Sequence, residues 1–389
     1  MGLFSKTPKV VTEGAAIDEL LTRGVEKVIP QELAKKKLSS GERLRIYFGI
    51  DPTGDKLHLG HSVPLRKLKA FADLGHHVIF LVGSFTAMVG DPTGRDTKRE
   101  PLTRAQVEKN FQTYKRQASK VLDFSKVELR YNHEWHDKLN FSDIMKLASN
   151  FTVQQMLERD MFRERMKREE DLSPNEFLYP LMQGYDSVML DVDCEIGGND
   201  QLFNMLAGRK LQKAFNKREK FVLTTKLIEG TDGRKMSKTY NNAVYLEDTP
   251  GDMYGKLMSI KDELVPMYFE VLTDVPIHEV SEIMKRHPKE AKARLAKEVV
   301  ALYHGSETAG KAAEGFLKPD AAPEVVIAPG TRLRDVAENI GVSMSELRRL
   351  VDAGAIEVVD GQKVTNIDFK LTDSTLKIGK HRFLKITIK

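Results

Sequence analysis

The sequence predicts a multidomain α/β protein, with a parallel sheet in its first two thirds, a helical stretch after it and a small mixed unit at the end. Three observations predict this. Its 389 residues exceed one domain of roughly 150 residues. Apolar runs at 43–50 and 78–82 flank a helical pattern, the strand–helix–strand spacing of a parallel βαβ unit. An Ala- and Pro-rich stretch sets off a basic terminal segment.

Taken in order, residues 16–38 carry helically spaced apolar residues broken at Pro30, giving an N-terminal helical segment over 1–38. The run 43–50 is a strand closed by Asp51-Pro52-Thr53-Gly54, and a helix follows over 58–74. Residues 78–82 form a second strand, and the same tetrapeptide recurs as Asp91-Pro92-Thr93-Gly94. Helical patterns at 103–122 and 142–170 form an insert of about 103–175, whose charged end, 159–170, is a solvated helix face or part of a subunit interface. Segments 177–192 and 221–227 return the chain to the sheet and complete a domain over 39–239. The pattern is helical again from 250 to 316, punctuated by Pro266, Pro276 and Pro288, within a unit at 240–318. Residues 319–330 read as a linker and 331–389 as the small terminal unit. There is no tandem repeat or low-complexity tract.

Composition excludes several classes. Hydrophobic residues at 41% against 30% charged rule out wholesale disorder, and no apolar run approaches the ~20 residues that cross a bilayer. The start has no apolar signal core, and Lys6 stands where a myristoylation site requires Ser or Thr. The single Cys194 cannot form an internal disulfide, so a cytoplasmic location is expected. Net charge is only +5, but the last 29 residues hold seven basic side chains against two acidic ones, which concentrates charge at the C-terminus.

Three segments carry chemistry. Tyr47-Phe48-Gly49-Ile50-Asp51-Pro52-Thr53-Gly54 runs towards His58-Leu59-Gly60-His61, where a strand gives way to a helix start. Backbone N–H groups and the helix dipole favour anions there, and Gly60 allows close approach, so this is a candidate ATP cradle. It is otherwise a surface helix start with two incidental histidines, or half of a metal site lacking the glutamate of H-E-x-x-H. In Thr231-Asp232-Gly233-Arg234-Lys235-Met236-Ser237-Lys238-Thr239, glycines loosen a loop whose two ammonium groups can close over a triphosphate, unless Lys235 and Lys238 are ordinary surface lysines. Ile196-Gly197-Gly198-Asn199-Asp200-Gln201 permits close backbone contact and offers Asp200 to ribose hydroxyls, or is simply a turn.

Together, His58-Leu59-Gly60-His61 and Lys235-Met236-Ser237-Lys238-Thr239 resemble the two motifs of class I aminoacyl-tRNA synthetases. Their surroundings narrow the resemblance to the tyrosyl-tRNA synthetases: Tyr47-x-Gly49-x-Asp51-Pro52-Thr53, Thr86 with Gly90-Asp91-Pro92, Asn132-x-x-Trp135, Tyr179-x-x-x-Gln183-Gly184-Tyr185-Asp186 and Gly197-Gly198-x-Asp200-Gln201. It covers nearly the whole chain. Departures are Leu59 for the commoner Ile, Thr239 for a final Ser and Gly184 where Ala is frequent. The resemblance implies a Rossmann-like catalytic domain with a helical insert, an all-helical anticodon-binding domain and a small C-terminal α/β RNA-binding domain.

It also implies an activity: tyrosine and ATP give tyrosyl-adenylate and pyrophosphate, and the tyrosyl group then passes to tRNA(Tyr). Tyr47 and Asp186 would read the phenol, Asp91, Tyr179 and Gln183 would surround the ammonium, and Gln201 would lie beside the carboxylate or carbonyl, with Thr86 and Asn132 also in the tyrosine site. Thr53, His58, His61, Lys235 and Lys238 would act on the phosphates, while Gly49, Asp51, Gly60, Gly198, Asp200, Met236 and Ser237 would line the nucleotide site. Mg²⁺ would accompany ATP, with no tightly bound metal. A site built to bond a hydroxyl leaves its polar groups unpaired with phenylalanine, and tyrosyl enzymes are themselves the reference case for that rejection. In the terminal unit, residues 343–356 and Gly379-Lys380-His381-Arg382-Phe383 resemble a small RNA-binding domain shared with a ribosomal protein, in which Arg348, Arg349, Lys380 and Arg382 would touch phosphates. A homodimer through the insert is expected. The alternatives are a tryptophan ligase of the same fold and a non-catalytic RNA-binding relative; an oxidoreductase lacks its G-x-G-x-x-G.

Overall fold

Strands β2 (Arg45–Ile50) and β3 (His77–Val82) pair in parallel from Arg45↔His77 to Ile50↔Val82, joined by the helix Leu59–Asp73. Their near-continuous apolar runs suit strands covered on both faces. A computed structural model gives this architecture for residues 9–92, 102–237, 240–317, 324–337, 342–359, 361–379 and 382–389. The chain divides into two compact units, Met1–Leu227 and Ile228–Lys389.

The first unit is a six-stranded sheet in the order β1-β6-β5-β2-β3-β4. Strands β4 (Glu128–Tyr131), β5 (Cys194–Gly198) and β6 (Phe221–Thr225) join in parallel, and β1 (Val25–Ile29) caps the β6 edge antiparallel. Two of these strands depart from the sequence reading. β1 falls inside the expected N-terminal helical segment, where a register of Val25, Val28 and Ile29 against β6 overrides the helical pattern. β4 has only four half-buried residues, too short for an alternation to be visible.

The segment 177–192 is a further correction. It is not a strand but the inner part of the helix Pro174–Leu190, opened by Ser173, whose N–H donates to Glu176, and by Pro174 in the first turn. The strand follows it, so Gly197 and Gly198 end β5 rather than form an independent turn. In the insert Arg104–Ala118 answers to the first expected helix, whereas the second divides into Phe141–Ala148, Val153–Leu157 and Asp160–Lys167, because Asn140 and Thr152 accept N–H bonds that start new helices.

The second unit opens with the loop 228–249 and continues in helices Pro250–Met258, Val265–Leu272, Ile277–Ile283, Pro288–His304 and Ser306–Leu317, three of which have Pro in their first turn. It ends in a four-stranded sheet, β7-β10-β9-β8, of β7 (Glu324–Ile327), β8 (Ile356–Val358), β9 (Ser374–Ile378) and β10 (Arg382–Ile388). The helix Met344–Asp352 contributes Leu347 and Val351 to the core beside that sheet. β7 lies within the stretch expected to be a linker; parallel pairing with β10 supplies the order that its Ala- and Pro-rich approach does not predict. Among the described residues no helix is long and apolar enough to cross a membrane.

Candidate active site

The carboxyl end of β2 delivers Tyr47, Gly49 and Asp51 to one side of the sheet switch between β2 and β5, the place where open α/β sheets bind ligands. From Asp51 a hydrogen-bond chain runs through five sequence-predicted residues. The Tyr179 hydroxyl donates to Asp51 Oδ2 at 2.9 Å and Thr86 Oγ1 to Asp51 Oδ1 at 2.7 Å. Asn132 Nδ2 donates to Thr86 Oγ1 at 2.9 Å and lies 3.3 Å from Asp186 Oδ2, while its own Oδ1 accepts the Phe85 N–H. Asp186 is 3% exposed and takes Trp135 Nε1 and His136 Nε2 on Oδ1, each at 2.8 Å. A carboxylate so held keeps an acceptor site on Oδ2 for one further hydroxyl.

Asp51, assigned by resemblance to the nucleotide, is bonded to Tyr179 and Thr86, which the resemblance assigns to tyrosine. Burial raises its carboxyl to about 7 against the opposing bonds of Thr86 and Tyr179, with Asp91 and Asp186 adding negative potential. Room for it comes from Gly83, which the sequence reading missed: a Cβ there would lie 1.8 Å from Asp51 Oδ1.

Asp91 and Gln201 meet directly, Gln201 Nε2 donating to Asp91 Oδ2 at 2.7 Å, and Asn204 donates to Gln201 Oε1 at 3.0 Å. Buried Arg159 approaches the other Asp91 oxygen at 3.9 Å and lies over the rings of Phe162 and Phe203. Its place in a charged helical run hid it, because a solvated face and a buried cation look alike there. Gln183 turns its Nε2 to Glu195 Oε1 at 3.1 Å, and the Tyr47 hydroxyl sits 3.0 Å from Ser187 Oγ. Glu195, Ser187 and Lys220 beneath these two were not found from the sequence; Glu195 is the residue immediately before the singled-out Ile196-Gly197-Gly198 run.

The histidine motif straddles the start of the helix Leu59–Asp73. The His58 N–H donates to His61 Nδ1 at 3.2 Å, and the two rings meet tilted at 41° with 3.8 Å between centroids. Gly60 lies between them in the first turn, half-buried, and Gly49 is exposed on β2. Thr53 donates its N–H to the Asp51 carbonyl at 2.8 Å, tightening the turn. At Gly198 a Cβ would lie 2.6 Å from Asp200 Oδ1, so the glycine lets that carboxylate fold back over the strand end.

The lysine motif belongs to the second unit. Glu229 and Lys235 form an antiparallel bridge, with Gly233 at φ +82° in the turn, so Lys235 projects exposed from a short hairpin. Met236 is buried, and the Ser237 N–H donates to Asn242 Oδ1 at 2.9 Å. Asn242, 2% exposed, also gives its Nδ2 to Asp232 Oδ1 at 2.7 Å and to the Lys235 carbonyl at 3.1 Å. Lys238 and Thr239 lie outside the described residues, as do Thr93 and Gly94 of the repeated tetrapeptide. In the terminal unit Arg348 and Arg349 are exposed on Met344–Asp352, whereas Lys380 and the Arg382 side chain are outside the description.

Residues 39–318 match the family model of class I tRNA synthetases (W and Y), and the chain belongs to that family. A tyrosine–tRNA ligase of Oleidesulfovibrio alaskensis is 44% identical over 95% of this chain and 98% of its own, and one of Thermotoga maritima is 42% identical over 95% and 96%. A truncated Aspergillus nidulans mitochondrial tyrosyl-tRNA synthetase superposes with TM-score 0.66 at 26% identity, covering 78% of this chain and 93% of that one. The activity is that of a tyrosine–tRNA ligase, with the Rossmann-like parallel sheet as its core.

Proposed function

We propose that the hydrogen-bond chain Tyr179–Asp51–Thr86–Asn132–Asp186 is the wall of the tyrosine pocket of this ligase. Its supporting observation is the connection of Asp51 to Asp186 through shared donors, which puts anionic acceptors at two separated ends, as an ammonium and a phenol require. Tyr47 and Asp186 read the phenol, Asp91, Tyr179 and Gln183 surround the ammonium with Asp51, and Gln201 lies by the carboxylate. The tyrosine carboxylate attacks the α-phosphorus of ATP and pyrophosphate leaves; the terminal ribose hydroxyl of tRNA(Tyr) then takes the tyrosyl group. No side-chain nucleophile is needed. Thr53, His58, His61, Lys235 and Lys238 stabilise charge on the phosphates, and Gly49, Gly60, Gly198, Asp200, Met236 and Ser237 line the nucleotide site. Mg²⁺ arrives bound to the triphosphate.

The helices of 240–318 read the anticodon, and the terminal unit, through Arg348, Arg349, Lys380 and Arg382, holds RNA phosphates. The enzyme works as a cytoplasmic homodimer, supported by Phe141, Met145 and Val153, which the insert leaves 78%, 55% and 67% exposed. Exchange of labelled pyrophosphate into ATP with tyrosine, phenylalanine and tryptophan in parallel tests the pocket. Tyrosine alone is expected to support exchange, and Tyr47→Phe and Asp186→Asn to lose it selectively. Exchange with tryptophan would redirect the Tyr47 and Asp186 roles. Sedimentation showing a monomer at all working concentrations would overturn the dimer.

A further inference from the structure

His136 stands one residue past the Asn132-x-x-Trp135 motif, in the four-residue helix His133–His136, and outside the chain that runs from Tyr179 to Asp186. Its N–H closes the turn on the Asn132 carbonyl at 3.1 Å, so the backbone that places Asn132 also places this ring. The side chain is 0% exposed, with the rings of Phe85, Tyr185 and Trp135 at 5.2, 5.9 and 6.2 Å between centroids. A polar ring in so apolar a box costs free energy unless its nitrogens are bonded. Nε2 lies 2.8 Å from Asp186 Oδ1, while Nδ1 is buried without a hydrogen-bond partner.

That asymmetry fixes where the ring carries its proton. With a proton on Nδ1, or on both nitrogens, a buried N–H would be left unpaired, the rarer and costlier kind of orphan. With it on Nε2, Nδ1 keeps only an idle lone pair and the N–H donates to Asp186 Oδ1. Trp135 Nε1, which can only donate, reaches the same oxygen at 2.8 Å, so Oδ1 takes two donors from consecutive residues. Among the described residues, Oδ2 has Asn132 Nδ2 at 3.3 Å. The carboxylate is thereby held by one oxygen and keeps acceptor capacity on the other.

We propose that His136 is a specificity-determining residue of this ligase: its Nε2–H, with the Trp135 Nε1–H, pins Asp186 Oδ1 so that Oδ2 is a fixed acceptor for the phenolic proton. The inference rests on Asp186 reading the phenol. His136 is a positioning residue, since it reaches the substrate only through that carboxylate. One substrate proton meets one acceptor, whichever way the Tyr47 hydroxyl turns. Phenylalanine has no such proton and gains nothing from the aim of Asp186, so the two amino acids depend on His136 to different degrees.

The test is pyrophosphate exchange by full-length His136→Phe, which keeps a ring in the box and removes the donor, and by His136→Gln, whose amide nitrogen can donate in place of Nε2. His136→Phe is expected to raise the KM for tyrosine about tenfold at unchanged KM for ATP and to leave phenylalanine little affected, so the tyrosine-to-phenylalanine ratio of kcat/KM falls about tenfold. His136→Gln is expected to recover most of that ratio. A folded His136→Phe with the wild-type ratio would overturn the proposal, as would an equal loss for both amino acids, or a His136→Gln ratio no higher than that of His136→Phe. Should His136→Phe not fold, nitrogen-15 spectra of histidine-labelled wild type decide, with the His136 signal identified by its loss in His136→Gln. A proton on Nε2 and a bare Nδ1 are expected; the reverse tautomer would overturn the proposal. Asp186→Asn run beside these separates two failures. A lowered ratio there with none in His136→Phe removes the role of His136 alone, whereas no change in Asp186→Asn removes the phenol reading of Asp186 beneath it.

Discussion

The hydroxyl of Tyr179, near the start of the long helix Pro174–Leu190, donates to the Asp51 carboxylate at the end of β2 across 2.9 Å, joining residues 128 positions apart. That bond, with the one from Thr86, holds an acid that burial pushes up to about 7. The carboxyl therefore titrates near neutral pH.

The sign of its pH effect follows. The folded protein keeps this proton up to about 7, whereas the unfolded chain loses it near 3.8, so the folded state binds more protons between those values and loses stability as pH rises through them. Asp51→Asn removes that loss. Its melting temperature relative to wild type should rise between pH 5 and pH 8, while its tyrosine KM increases because the ammonium loses an anion. Equal differences in melting temperature at the two pH values would show that Asp51 does not titrate there.

Gly83→Ala should be severe although it adds one methyl group. The new Cβ would occupy the place of Asp51 Oδ1, 1.8 Å away, and would also meet Thr86 Oγ1 at 2.5 Å, so the chain from Tyr179 to Asn132 must break. We expect kcat/KM for tyrosine in pyrophosphate exchange to fall by about 100-fold, the scale of a misplaced positioning group. A near-normal value would mean that the strand end moves freely and that the close approach is not restrictive.

Asn242 fixes the lysine hairpin by accepting the Ser237 N–H and donating to Asp232 and to the Lys235 carbonyl. Removing it takes away these three bonds and loosens the loop. Both Lys235→Ala and Asn242→Ala are expected to lower the adenylation rate by about tenfold or more, with tyrosine affinity little changed, since the loop acts on developing phosphate charge. Single-turnover adenylate formation checks this; an unaltered rate in Lys235→Ala removes that lysine from the mechanism.

Arg348 and Arg349 stand exposed on an amphipathic helix whose Leu347 and Val351 face the core, so replacing both with Ala leaves the fold intact. Affinity for tRNA should fall, and the slope of log K against log salt should decrease by about 1 for each phosphate the protein no longer neutralises, while pyrophosphate exchange without tRNA is unaffected. Identical salt slopes for wild type and variant would take these arginines out of the RNA interface.

Sequence alone determined what depends on local order. The strand runs of β2 and β3, the histidine and lysine motifs, the helices after Pro250 and the presence of a basic terminal unit are all legible because periodicity, turn residues and motif spacing act over a few residues. Gly184 was legible only as a departure; in the fold a Cβ there would lie 2.8 Å from Leu211 Cδ1, so the glycine lets Pro174–Leu190 and Leu202–Asn216 approach closely. Tertiary structure alone decided the edge strand β1, the short β4 and the strand β7, whose order comes from pairing with distant segments rather than from their own propensity. It also decided that Asp51 is bonded to Tyr179, that Arg159 is buried against Asp91, and that Glu195 and Lys220 meet behind Tyr47. These charges look ordinary in a sequence because their meaning is set by burial and by partners far along the chain, and only folding brings those together.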